Sequence, residues 1–262
     1  MTFTLSRRGF VAGVSLLATA GTAFAAAATK VIKGASIKVP DYIVKAVASS
    51  RRPADDVKRD GGRKPAQTMA FFGVKPGMKV ADLAATKGYF TAVLAEVVGP
   101  TGKVYAQNNK WILERSKDGH PLSNLIDKQG YSNVVKLDSE FEDLKLPDGL
   151  DGVFMVMFYH DTYWMNVDRD KMNKAIFKAL KPGGIYGIID HHAAPGMGVT
   201  DVNKNHRIER YTVVDDVTKA GFVLAEETDL LENPKDPLNV AVFAPNLRGE
   251  THQFVLKFKK PG

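Results

Sequence analysis

Three short stretches carry the side chains that could do chemistry: Phe158-Tyr-His-Asp161, Asp190-His-His192 and His206-Arg207. Histidine titrates near neutral pH, and a neighbouring carboxylate decides which ring nitrogen bears the proton. His160 or His191 therefore reads as a general base, with Asp161 or Asp190 orienting the imidazole. Arg207 offers a fixed cation for a substrate anion. Taken singly, each histidine is as well explained as a hydrogen-bonding residue at a loop start. Gathered at the ends of apolar runs, they read as a site. Asp190-His-His192 with His160 or His206 also supplies nitrogen and oxygen ligands suited to Zn²⁺ or Fe²⁺. Consecutive histidines on a strand point to opposite faces and rarely serve one ion, so the sequence assigns no metal. Tyr163 and Trp164 read equally as pocket wall, lid or core packing.

The elements that must position these residues are legible from periodicity. Residues 79–83 are a short apolar run, followed by a small-residue turn and the amphipathic stretch 89–96, so the pattern predicts strand, loop and helix. An acid at the strand end, Asp82, before such a turn is how α/β folds hold an adenosine-type ligand. The turn lets the backbone approach, and the helix start offers free N–H groups. Further strands are expected at 102–106, 133–137, 152–157, 185–189, 222–231 and 253–259. Helices are expected at 41–48, 53–61, 65–72, 168–180 and 212–220, and a helix at 111–129 is interrupted by Gly119-His-Pro121. Run 152–157 lacks alternation, as a central strand buried on both faces should. The class is α/β: a doubly wound, mostly parallel seven-stranded sheet with an antiparallel edge and an N-terminal helical extension.

The chain has 262 residues, 44% hydrophobic and 25% charged, which suits one sizeable core. It has no cysteine, so disulfides and thiolate metal sites are excluded. Ser6-Arg-Arg-Gly-Phe-Val11, an Ala-rich apolar run and the A-x-A site at Ala23-Phe24-Ala25 together predict a twin-arginine signal peptide over 1–27. The run is too short and too rich in Ala and Gly for a stable membrane anchor. Cleavage would remove Arg7 and Arg8, taking the net charge from +7 to +5. The expected partners are the export machinery and a small-molecule substrate, and the expected location is periplasmic. Lys and Arg are scattered without an aromatic-interleaved basic tract, so nucleic-acid binding is not expected. Residues 28–64 read as a linker with N-terminal helices, and 65–262 as the main domain.

Several motifs, in order, resemble class I S-adenosylmethionine-dependent methyltransferases. They are Val80-Ala-Asp-Leu, Gly102-Lys-Val-Tyr-Ala, Asp151-Gly-Val-Phe-Met-Val and Leu180-Lys-Pro-Gly-Gly. The resemblance covers residues 66–258 and implies S-adenosylmethionine as cofactor. The three chemical stretches look more like a branch of methyltransferases with twin-arginine export signals. Carried over by position, the cofactor contacts are Asp82, Ala84, Gly88, Asn108 and Asp138, with Asp138 at the adenine amine. The acid-x-Gly-x-Gly-x-Gly motif stands here as Asp82-Leu-Ala-Ala-Thr-Lys-Gly88, with Ala84 and Thr86 replacing two glycines. Gln107 and Asn108 replace the ribose-binding acid. The resemblance implies methyl transfer to a small molecule. The alternative is an exported protein of the same fold that has lost the cofactor and binds or hydrolyses another ligand.

Overall fold

A computed structural model describes residues 29–262. The twin-arginine motif and signal peptide expected over 1–27 lie outside the described residues. The strands are β1 (Lys30–Ile32), β2 (Lys79–Leu83), β3 (Lys103–Asn108), β4 (Val134–Asp138), β5 (Leu150–Val156), β6 (Leu180–His191), β7 (Val223–Thr228) and β8 (Gln253–Lys259). They form one sheet in the order β1-β7-β8-β6-β5-β2-β3-β4. β8 runs antiparallel to β6 and β7, and the other pairings are parallel.

The helices are α1 (Asp41–Val47), α2 (Ala54–Val57), α3 (Asp60–Arg63), α4 (Pro65–Phe72), α5 (Tyr89–Val98), α6 (Lys110–Glu114), α7 (Asp161–Trp164), α8 (Arg169–Ala179) and α9 (Arg210–Lys219). Side chains alternate across the sheet, so successive strand residues serve two cores. Val80 and Phe154 join Ile43, Phe72 and Leu94 on the face of α1, α4 and α5. Ala81, Val153 and Met155 join Met172, Ile176 and Val213 on the face of α8 and α9. This is the doubly wound arrangement expected.

Two local expectations are corrected. The loose linker before residue 40 contains β1, an eighth strand paired in parallel with β7. Its three residues lie at the sheet edge with Val31 exposed, so no apolar alternation marks it. Lys181-Pro-Gly-Gly184 does not precede its strand but forms the irregular start of β6. There the register against β5 slips between Leu150 and Gly152, and Gly183 takes φ +75°.

Candidate active site

The parallel strands β2, β5 and β6 all end at one edge of the sheet. Past those ends lies a cavity of about 310 Å³ lined by Asp82, Ala84–Lys87, His160, Asp161, His191 and His206. Arg59, Arg63, Tyr89, Trp111, Met157, Phe158, Val242 and Phe243 form most of the rest of its wall.

The β2–α5 turn keeps the backbone shape of a glycine loop without the glycines. Ala84 and Thr86 sit at φ +52° and +51°, where L side chains are strained by about 1–2 kcal/mol each. Two amides hold them there. Gln107 Oε1 accepts from the Ala84 N–H at 3.0 Å, and Gln107 Nε2 donates to the Ser139 carbonyl at 2.6 Å. Asn108 Oδ1 accepts from the Thr86 N–H at 2.7 Å, and Asn108 Nδ2 donates to the Thr86 carbonyl at 3.1 Å. A carboxylate could only accept, so an amide is the residue type these reciprocal bonds require. Asn108 is thereby turned into the loop. Gly88, at φ +89°, is used for packing: a Cβ there would fall 2.8 Å from Leu125 and 2.9 Å from Leu122.

Asp82 is buried and accepts a hydrogen bond from Thr91 Oγ1 at 2.6 Å. Burial raises its carboxyl to about 7, with the Thr91 bonds opposing. Asp138, on the far side, pairs with His120 Nε2 at 3.1 Å. His120 Nδ1 also accepts the Leu122 N–H at 3.1 Å, so one neutral tautomer serves both bonds.

At the β5 end, His160 is buried and its Nδ1 bonds Asp190 Oδ1 at 2.7 Å. Asp190 Oδ2 accepts from the His160 backbone N–H at 2.8 Å. His160 Nε2 lies 3.1 Å from Asp161 Oδ1 and 3.2 Å from His206 Nδ1. Asp161 Oδ1 also lies 3.2 Å from His206 Nδ1 and accepts from Trp164 Nε1 at 2.6 Å. Burial opposes a charge on His160, but Asp190 and Asp161 outweigh it and raise the imidazole to about 10. Burial would raise the Asp161 carboxyl, yet its bonds to the two histidines hold it well below the usual carboxylate range.

The structure brings His160, Asp161, Asp190 and His206 together, with His191 on the cavity wall. His160 has a carboxylate at each ring nitrogen, Asp190 at Nδ1 and Asp161 at Nε2, and both favour its protonated form. Two expectations change. His191 is not oriented by a carboxylate: its Nδ1 bonds Thr251 Oγ1 at 2.7 Å, and burial lowers it to about 3. Arg207 does not face the cavity. It is fully buried, forks onto Asp236 at 2.9 and 3.0 Å, and donates to the carbonyls of Val240 and His192. A guanidinium so enclosed organises the loops around it. His192 turns away from the cavity wall to pack on His252 and Phe254, as alternation on a strand requires.

Arg59, Arg63 and Trp111 are not among the candidate site residues of the sequence. The arginines come from short helices expected only to cover one end of the sheet or the mouth of the cleft. Arg52 forks onto Asp60 at 2.7 Å, Asp60 accepts from Tyr89 Oη at 2.6 Å, and Arg63 stacks 4.3 Å over the Tyr89 ring. This network clamps α3 over the start of α5. Trp111 forms the wall that Trp164 was a candidate for, while Trp164 packs edge-on against it at 5.5 Å.

A mostly parallel, doubly wound sheet whose β2–α5 turn shares a cavity with the ends of β5 and β6 is the architecture of class I methyltransferases. The chain belongs to the ubiE/COQ5 methyltransferase family, whose model it matches over residues 62–227. It is 33% identical over 119 residues to the ubiquinone/menaquinone biosynthesis C-methyltransferase UbiE of Ectopseudomonas mendocina, covering 45% of this chain and 43% of that protein. It is 36% identical over 114 residues to UbiE of Pasteurella multocida, covering 43% and 39%. The chain thus matches less than half the length of these relatives. A SAM-dependent methyltransferase from Aquifex aeolicus shares the fold, with TM-score 0.56 and 21% identity over 77% of this chain and 98% of that one.

S-adenosylmethionine is the cofactor of this family. The residues fit the α-ammonium of its amino-acid end, where buried Asp82 and the Ala84–Lys87 turn face the cavity. At the nucleoside end, Asn108 and Asp138 are engaged by Thr86 and His120 and do not line the cavity.

Proposed function

We propose that the chain transfers the methyl group of S-adenosylmethionine to a small-molecule acceptor held between the 84–87 turn and the His160–Asp161–His206 cluster. One observation carries the reading: the family's cofactor turn and the polar cluster line the same cavity. Methyl transfer needs alignment of nucleophile and methyl carbon in a water-poor site. Trp111, Phe158 and Phe243 supply the apolar wall, and Asp82 a carboxyl group that the cofactor's positive end would draw into its ionised form. His160 with its two carboxylates is a fixed charged platform that orients the acceptor.

The acceptor class is suggested by a second, larger cavity that shares Arg59, Arg63, Met157, His191, Val242 and Phe243 with the first. Six cationic side chains and two carboxylates line it. An anionic acceptor suits such an entrance. The Ser6-Arg7-Arg8 motif further supports export through the twin-arginine route. A fusion of residues 1–27 to a reporter that is active only outside the cytoplasm tests that part.

Titration calorimetry with S-adenosylmethionine and S-adenosylhomocysteine tests the central reading. Micromolar binding that Asp82→Ala weakens at least tenfold is expected. Absence of heat at millimolar ligand would remove it.

A further inference from the structure

We propose that His160, Asp161 and His206 bind one divalent first-row transition-metal ion. Ligand atoms on one face of an octahedral or tetrahedral ion bound at about 2.1 Å lie about 3.0–3.4 Å apart. Here His160 Nε2, Asp161 Oδ1 and His206 Nδ1 stand 3.1, 3.2 and 3.2 Å from one another. They form a near-equilateral triangle of two imidazole nitrogens and one carboxylate oxygen. Three atoms that each carry a lone pair repel at this separation unless a proton or a cation lies among them.

The surroundings are those of a metal centre. His160 Nδ1 is held by Asp190 at 2.7 Å, the arrangement that fixes a metal-ligating histidine's tautomer and leaves Nε2 for the ion. Trp164 Nε1 donates to the same Asp161 Oδ1 at 2.6 Å, which fixes the carboxylate through one lone pair of that oxygen and leaves another for the ion. His206 sits at φ +54°, a strained conformation that aims its ring at the pair, and it packs 4.9 Å from Phe243. All three ligands line the cavity, so the remaining coordination positions open toward it. A two-histidine, one-carboxylate set with open positions suits Fe²⁺, Mn²⁺ or Zn²⁺ rather than Ca²⁺ or Mg²⁺.

The site stands on its own geometry. Only its use rests on the methyl-transfer reading: an acceptor hydroxyl at an open position would release its proton to water more readily before attack.

The test uses tag-free full-length protein, stripped with EDTA and titrated with Co²⁺ and Zn²⁺ without S-adenosylmethionine. We expect one equivalent of Co²⁺ to bind at micromolar or lower concentration, with visible d–d absorption that Zn²⁺ abolishes. His206→Ala, on a partly exposed loop residue, should weaken binding at least 100-fold. The near-isosteric Asp161→Asn should weaken it at least tenfold, and His252→Ala should leave it unchanged. Failure of either metal to bind stoichiometrically below millimolar concentration would show that the cluster holds protons alone. Stoichiometric binding that His206→Ala and Asp161→Asn leave unchanged would place the ion elsewhere. Either result overturns the proposal, and neither depends on whether methyl transfer is detected.

Discussion

Thr86 shows how a side chain can stand where the fold's usual motif has glycine. Its φ of +51° is costly for a β-branched residue, and two hydrogen bonds to Asn108 hold it there. Thr86→Gly relieves the strain, about 1–2 kcal/mol, against about 0.5–1 kcal/mol of added unfolded-state entropy. The variant should be more stable by about 0.5–1 kcal/mol, seen as a small rise in Tm. A lower Tm would mean the threonine side chain contributes packing that outweighs its backbone. Asp82 behaves oppositely. Its folded carboxyl titrates at about 7 against 3.8 for an unperturbed one, so the folded state holds the proton more tightly. Stability from this group is therefore greatest below about pH 4 and is lost as pH rises toward 7. Asp82→Asn should melt higher than the parent at pH 8 and match it more closely at pH 5, and its deficit in S-adenosylmethionine binding at pH 8 should narrow at pH 5, where the parent's carboxyl is itself protonated. Equal Tm differences at the two pH values would show that Asp82 is not the titrating group. Asp82 and the positions of Ala84 and Thr86 were legible in the sequence. That Asn108 is taken up by the turn was not, because an amide's partners depend on a neighbouring loop twenty residues away.

At the scale of elements, the segment between α6 and β4 is the one whose sequence reading and structure differ in consequence. Gly119-His-Pro121 interrupts the helical pattern as expected. What the pattern could not show is that the interruption folds back, with His120 clasping Asp138 and Leu122 and Leu125 packed over Gly88. The clasp engages the carboxylate that the family resemblance assigns to the adenine amine. A partly exposed hydrogen bond to a carboxylate contributes about 1 kcal/mol, because water offsets much of its charge assistance. His120→Ala should free Asp138 and tighten S-adenosylhomocysteine binding by about three- to tenfold in calorimetry. Weaker binding would instead make His120 part of the nucleoside site. The strands and major helices were readable because each is either a short apolar run or a helical period bounded by a turn residue. β1 was not, since an exposed three-residue edge strand carries no period. The polar cluster was readable as types and strand ends, but the near-equilateral spacing of His160, Asp161 and His206 arises only when α7 and the 192–206 loop meet.

At the scale of the whole molecule, the two cavities make one path. Arg63 lies where they join, stacked on Tyr89 and set by the Arg52–Asp60–Tyr89 network. Burial lowers its guanidinium to about 10, with Arg59 adding to the effect, so it remains charged at neutral pH. An enclosed cation at a junction discriminates by charge more sharply than the exposed lysines of the outer cleft, where salt screens the field within about 10 Å. A set of aryl carboxylates and their neutral amides separates these contributions. The carboxylates should raise Tm more than the matched amides, and Arg63→Gln should erase most of the difference even at 150 mM salt. Lys235→Gln and Arg248→Gln, on the outer cleft, should lower it only at low ionic strength. Amides that stabilise the protein as well as their acids would show that the path selects by shape, and the anionic acceptor would have to be given up.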